Sequence, residues 1–339
     1  NGKASRYKTG PYGDGKGLDH FVNAAGGIDI IIGGPPCQAY SVAGRVRDEN
    51  GMKDDYRNYL FEHYLSVVNR YQPKVFVFEN VPGLLSAMSD GTPIIQLIES
   101  GFSSIGYEIV DDVKKYAKVD ASDYGVPQNR ERLIILGIRK DLCEDVQVIL
   151  HRFYLEILPK YKSKKKKTVA EAIGDLPKIT PIINDEELKS RIGYSKPECH
   201  TTWHRARHHS LRDVEIYRML ANDIQSGRNE YVDSKSLSDL YEEKVGAKSP
   251  IHRYHVLRAD EPSTTIISHL DRDGNRFIHY DPEQGRDITP REAARIQSFD
   301  DDFDFIGNQT DTYIMIGNAV PPLLAKCVGL AVSEVLDIL

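Results

Sequence analysis

The run Gly33-Gly34-Pro35-Pro36-Cys37-Gln38, entered directly from the apolar segment Ile28-Asp29-Ile30-Ile31-Ile32, constrains this chain more than any other feature. A short β-branched run bounded by glycine reads as a buried strand, and two glycines followed by two prolines forbid it from continuing. Cys37 is therefore expected on a stiff loop at the carboxyl end of a strand, where open α/β sheets hold their chemistry. On the hexapeptide alone, a nucleophile and a small buried apolar residue are equal readings of this cysteine.

Four further segments break the tie. Glu79-Asn80-Val81 follows the apolar run Val75-Phe76-Val77-Phe78, and Gln128-Asn129-Arg130-Glu131-Arg132 leads into Leu133-Ile134-Ile135-Leu136. Arg291-Glu292-Ala293-Ala294-Arg295-Ile296-Gln297-Ser298-Phe299 and Gly317-Asn318-Ala319-Val320-Pro321-Pro322 come later. In this order the five segments resemble the motif set of the cytosine-5 DNA methyltransferases of the bacterial modification type. A single glycine or cysteine pattern would be weak; five ordered matches across residues 28–322 are specific.

The chain has 339 residues and a formal net charge of -6. That length suits one large α/β domain plus a smaller one. The acidic balance argues against non-specific coating of DNA but leaves room for a local basic face. No apolar stretch is expected to reach membrane-spanning length, and the first residues do not lead into the core of a signal peptide. The four cysteines, Cys37, Cys143, Cys199 and Cys327, form no Cys-x-x-Cys pair, which suits reduced thiols in a cytoplasmic protein, nucleoid-associated if the source is prokaryotic.

Strand and helix alternate from Ile28 to about Arg139. A helix is predicted over Tyr56–Tyr71, stopped by Gln72-Pro73, and another opening with Thr92 as N-cap and Pro93 as first residue, ending near Gly101. Strands are predicted over Val75–Phe78, Tyr107–Val113 and Arg132–Ile138. Thr289-Pro290 and Pro321-Pro322 open two more helices, the last packed on the sheet. The expected fold is α/β, a doubly wound, mostly parallel sheet of the S-adenosylmethionine methyltransferase type, with a second, smaller target recognition domain. The expected boundaries are 1–140 for the catalytic domain, 141–285 for linker and recognition, and 286–339 returning to the catalytic domain. The lysine-rich run 160–167 is a solvated linker or a phosphate-facing segment.

The resemblance implies roles for particular residues. Cys37 is the nucleophile that adds to carbon 6 of cytosine and makes carbon 5 reactive, with Pro35 and Pro36 fixing its loop. Glu79 is the acid at ring nitrogen 3, and Asn80 holds the loop that bears Cys37. Arg130 and Arg132 lie two apart and so share one face of a strand; Arg132 approaches the cytosine and Arg130 supports the site. Pro36, Leu60 and Asn318 contact S-adenosylmethionine. Gln38, Ser41, Arg45 and Arg47 contact the DNA, the last three on a segment that resembles the family's mobile catalytic loop and equally suits a flexible basic loop. The partner is duplex DNA, from which the cytosine must be flipped.

The segment Cys199 to His209 carries His204 and His208 at i, i+4, yet no second ligand cluster of zinc spacing follows, so no metal is expected. A basic, aromatic segment of a DNA-reading domain fits better, with Trp203 also suited to a small core. Two departures from the family pattern stand out. Asp300 replaces the usual proline, read as a local change of turn. The Phe-x-Gly-x-Gly-type cofactor loop and the ribose-binding acid are missing, because the glycine-rich segment 10–17 follows no apolar strand. The expectation is an upstream segment on the order of 70 to 90 residues, or a second chain. The activity implied is methyl transfer to carbon 5 of cytosine; the alternatives are a tRNA cytosine-5 methyltransferase and a catalytically incomplete DNA-binding subunit.

Overall fold

The protein is described by a computed structural model covering residues 17–35, 60–89, 91–183, 191–246 and 254–339. It divides into two compact units. Unit 1 takes Asn1–Asp120, Glu131–Tyr161 and Cys327–Leu339; unit 2 takes Ala121–Arg130 and Lys162–Lys326. These divisions do not coincide with the expected boundaries after residues 140 and 285. Only the stretch from Cys327, rather than everything from residue 286, belongs to the first unit.

Unit 1 is built on a five-stranded sheet. Its strands are β1 (Ile30–Gly33), β2 (Val75–Asn80), β3 (Tyr107–Ile109), β4 (Lys118–Asp120) and β5 (Glu131–Arg139). β1 and β2 are parallel, whereas β5 is antiparallel to β2, β3 and β4. The sheet is thus mixed, and the mostly parallel expectation holds for strand direction but not for pairing: β5 alone runs against the other four. The cause is the short connection. Only residues 121–130 separate β4 from β5, and a parallel return needs a crossover of about a dozen residues or more.

Helices α1 (Leu18–Ala24), α2 (Leu60–Tyr71) and α3 (Ile94–Ser104) accompany these strands. The α2 ring of Tyr64 packs edge-on against Phe76, Phe78 and Phe102, and Phe76 stacks on Phe102 at 4.0 Å. The Tyr64 hydroxyl donates to the carbonyls of Ile31 (3.1 Å) and Val77 (2.9 Å), tying α2 to β1 and β2 together. Gly137 makes room for this cluster, since a Cβ there would stand 2.1 Å from the Phe76 ring.

Two boundaries differ from expectation. Thr92–Pro93 pairs with Met88–Ser89 as a short hairpin, so Pro93, not Thr92, caps α3. The strand expected to reach Val113 ends at Ile109, because Asp112 caps a short helix, Val113–Tyr116, by accepting from the Lys115 amide. By composition Gln309–Ile338 is apolar enough to span a membrane, contrary to expectation. It folds as two helices, Gln309–Asn318 and Pro322–Ile338, broken where Ala319 is extended, and each is shorter than the ~20 residues a span needs.

Unit 2 encloses a core of Val169, Ile173, Ile266, Phe277, Ile288, Ala293, Ile296 and Tyr313. Thr289 and Glu292 form a capping box on helix Pro290–Ile296, as the Thr-Pro pair predicts. Glu292 also takes two bonds of 2.7 Å from Arg286, both side chains being almost fully buried. Burial pushes Glu292 up, but Arg286 outweighs it and holds the carboxyl at about 2. His279, buried beside them, is pushed by burial down to about 4. Asp300 starts the turn closed by the Phe303 amide, a position that favours aspartate.

Candidate active site

The parallel register pairs Gly33 with Phe78, which brings Gly34 level with Glu79 at the carboxyl ends of β1 and β2. This end of the sheet is tightly packed. A Cβ on Gly33 would meet the Tyr64 ring at 2.5 Å, and one on Gly34 would meet Glu79 Oε2 at 2.7 Å. The double glycine therefore lets the chain leave β1 in contact with the carboxylate. Glu79 Oε1 accepts from Arg132 Nε at 3.0 Å, with 19% and 12% of the two side chains exposed. Burial lowers the Arg132 pKa, and the Glu79 carboxylate opposes that shift. The sequence-predicted Glu79 and Arg132 are thus brought together, reachable from solvent at one edge.

Asn80 is buried, and its Oδ1 accepts from the Val81 amide at 2.7 Å, shaping the turn after β2. Pro36, Cys37, Gln38, Ser41, Arg45 and Arg47 lie outside the described residues. Leu60 is the first residue of α2.

Gly34→Ala is the sharpest test of this packing. The added methyl must displace the Glu79 carboxylate, and misplacement by about 1 Å costs on the order of 10²-fold in rate. Steady-state methyl transfer should fall by that factor with little change in thermal midpoint. An unchanged rate would show that the contact does not matter.

Arg130 and Arg132 have different partners. Arg130 precedes β5 and lies in unit 2, 2% exposed, where it donates to Ile266 O (2.8 Å), Gly317 O (2.9 Å) and Ala319 O (3.2 Å). It stands one residue before the strand, which starts at Glu131. Gln128 completes the arrangement: its Oε1 accepts from the Ile266 amide and its Nε2 donates to Gln297 Oε1, each at 2.8 Å. Gln297 in turn donates to Ile316 O and Ala319 O. Three of the sequence segments are thereby joined around the turn that ends helix Gln309–Asn318. The Gln128–Gln297 pairing was missed in the sequence; two glutamines inside otherwise apolar or motif-bearing segments were its only signal.

Gly317 closes this turn against backbone, since a Cβ there would stand 2.3 Å from the Ser268 amide nitrogen. Asn318 next to it is exposed, and its side chain makes no hydrogen bond with the described residues.

The other candidate groups are structural. His204 bonds to Thr289 Oγ1 (3.2 Å) and Pro177 O (2.8 Å), and His208 Nδ1 lies 3.2 Å from Ile192 O. Among the described residues no group of three or more metal-ligating side chains converges. Trp203 packs on the unit 2 core and donates to Phe305 O at 3.1 Å. Arg291 is fully buried, donating to the Thr202, Asp300 and Phe303 carbonyls.

The C-5 cytosine-specific DNA methylase family matches residues 4–334. The chain belongs to that family. It is 35% identical over 327 residues to the type II methyltransferase M.Bpa9945I of Bacillus paralicheniformis, spanning 91% of this chain and 71% of the relative. It is 33% identical to M1.HphI of Haemophilus parahaemolyticus, spanning 91% and 68%. A prophage-encoded Escherichia coli protein, described as a DNA modification methyltransferase, superposes with a TM-score of 0.56 at 25% identity, over 94% of this chain and 82% of that one. In this C-5 cytosine DNA methyltransferase, the Glu79–Arg132 pair lies at one end of a mixed sheet, and the polar network of Gln128, Arg130 and Gln297 lies in unit 2.

Proposed function

We propose that this methyltransferase uses Cys37 to attack a cytosine flipped out of a specific duplex sequence, and S-adenosylmethionine as methyl donor. The observation that carries the reading is the contact of Gly34 with the Glu79 carboxylate that Arg132 holds. Chain connectivity keeps Cys37 within roughly 11 Å of Gly34, so thiol and carboxylate can serve one pyrimidine ring.

Cys37 sulfur forms a bond to carbon 6, and the displaced π electrons are received at the ring, where Glu79 donates a proton to nitrogen 3. Arg132 fixes Glu79 and presents its guanidinium to the same ring. Carbon 5 is then electron-rich. S-adenosylmethionine, when bound, supplies an electrophilic methyl group there; Pro36, Leu60 and Asn318 are the residues suited to hold it. Loss of the carbon 5 proton to a base, return of the nitrogen 3 proton to Glu79 and release of the Cys37 thiolate then restore the neutral aromatic ring. Within residues 141–285 we place the target recognition region in the part that belongs to unit 2, from Lys162 on, and the relatives, as bacterial type II methyltransferases, support action on DNA in the cytoplasm.

The test is methyl transfer from labelled S-adenosylmethionine to duplex DNA and to tRNA, with bisulfite sequencing of the product. Protection of one cytosine within a fixed duplex sequence is expected. Label in tRNA alone, or no carbon 5 methylation in DNA, would overturn the reading.

A further inference from the structure

Unit 2 holds a broad groove of about 1010 Å³ whose rim carries Arg191, Lys196 and Arg205, all exposed. Its floor is already neutralised. Arg207 and His209 both engage the buried carboxylate of Asp287, and the lining Asp213 faces Arg212. Among the described residues, none of the three rim cations has a carboxylate within ion-pair distance. Arg205 is also preset: its guanidinium lies 4.6 Å over the Trp203 ring, which the Phe305 carbonyl fixes.

The lysine-rich run behaves differently. Lys160 pairs with Glu334 at 2.6 Å, Lys162 and Lys166 with Asp123 at 3.1 and 3.6 Å, and Lys165 with Glu171 at 2.5 Å. The densest positive stretch in the sequence is therefore largely offset by this protein's own acids. Lys164 and Lys167 are the two lysines of the run with no ion pair among the described residues, whereas all three exposed cations on the groove rim, Arg191, Lys196 and Arg205, lack one.

We propose that this groove seats the phosphate backbone of duplex DNA through Arg191, Lys196 and Arg205, and that the lysine run at 160–167 does not. This rests on the DNA methyltransferase reading above. The contacts are to phosphate oxygens, so they position the duplex without reading its bases, and their strength falls steeply with salt. Each lost contact lowers the salt slope of binding by about 0.9.

The experiment is fluorescence anisotropy of a labelled mixed-sequence duplex against salt. The protein carrying Arg191→Gln, Lys196→Gln and Arg205→Gln should lose about 10²-fold in affinity at low salt and about three units of salt slope. A second protein carrying Lys162→Gln, Lys164→Gln and Lys165→Gln should bind as the unmutated chain does. Arg191→Lys with Arg205→Lys keeps the charges and should retain the slope, which a folding defect would not. With saturating DNA the groove variant should keep its kcat while its KM for DNA rises. Unaltered slope in the groove variant, or loss in the lysine-run variant, overturns the groove assignment alone. Failure of the unmutated protein to bind duplex DNA overturns the DNA reading and the groove with it.

Discussion

Replacing Cys37 by serine is expected to abolish covalent capture of duplex DNA that carries 5-fluorocytosine at its target, and to lower methyl transfer by more than about 10³-fold. Fluorine on carbon 5 cannot leave as a proton does, so the thioether to carbon 6 persists and survives a denaturing gel. Cys143→Ser, Cys199→Ser and Cys327→Ser should leave capture intact. The structure gives each of these a different occupation. Burial pushes the Cys143 thiol up, away from the thiolate form. Cys199 Sγ lies 3.1 Å from Thr201 Oγ1, and Cys327 donates to the Tyr161 carbonyl. Capture that survives Cys37→Ser would sink the mechanism.

The second large effect is on stability. Glu292→Gln leaves Arg286 charged and buried without its carboxylate, which should cost about 3–5 kcal/mol and lower the thermal midpoint by roughly 10 °C. The same cluster makes the fold sensitive to acid. Glu292 is held at about 2, so the stability it contributes is present above its ordinary carboxyl value and disappears as pH falls towards 2. His279 is pushed down to about 4, so between about 6.5 and 4 the unfolded chain binds a proton that the folded chain refuses. Stability should therefore decline from pH 6.5 downwards, by about 3 kcal/mol from His279, and His279→Gln should flatten that slope. Calorimetric midpoints across this range give the answer; midpoints independent of pH would contradict it.

Local sequence rules found the strand ends that carry Gly34 and Glu79 and missed most of what supports them. The strands ending at Gly33 and Asn80 follow from β-branched and aromatic runs bounded by turn formers, and the Thr289-Pro290 cap follows from two adjacent residues. What failed depended on partners distant in sequence. Counting two residues from Arg132 gives no sign that the contacts of Arg130 are carbonyls at positions 266, 317 and 319. Thr92 was assigned a cap by its neighbour Pro93, yet pairing with Ser89 draws it into a hairpin. The lysine run shows the same limit, since a one-dimensional charge pattern does not reveal that Asp123, Glu171 and Glu334 offset it.

The division of unit 1 into three stretches of chain bears on how the protein is made. Cys327–Leu339 joins residues 1–120 and 131–161, contributing the buried Val328, Val332 and Val335 and the Glu334 partner of Lys160 and Tyr161. A ribosome adding about 5–20 residues per second needs on the order of 10 s or more to travel from Tyr161 to the end of the chain. Throughout that interval the sheet and residues 158–161 are already synthesised while the Glu334 partner of Lys160 and Tyr161 is not, whereas unit 2 is complete in sequence once Lys326 emerges. Unit 1 thus waits for its last stretch of chain, and slowing translation across residues 162–326 would lengthen that wait.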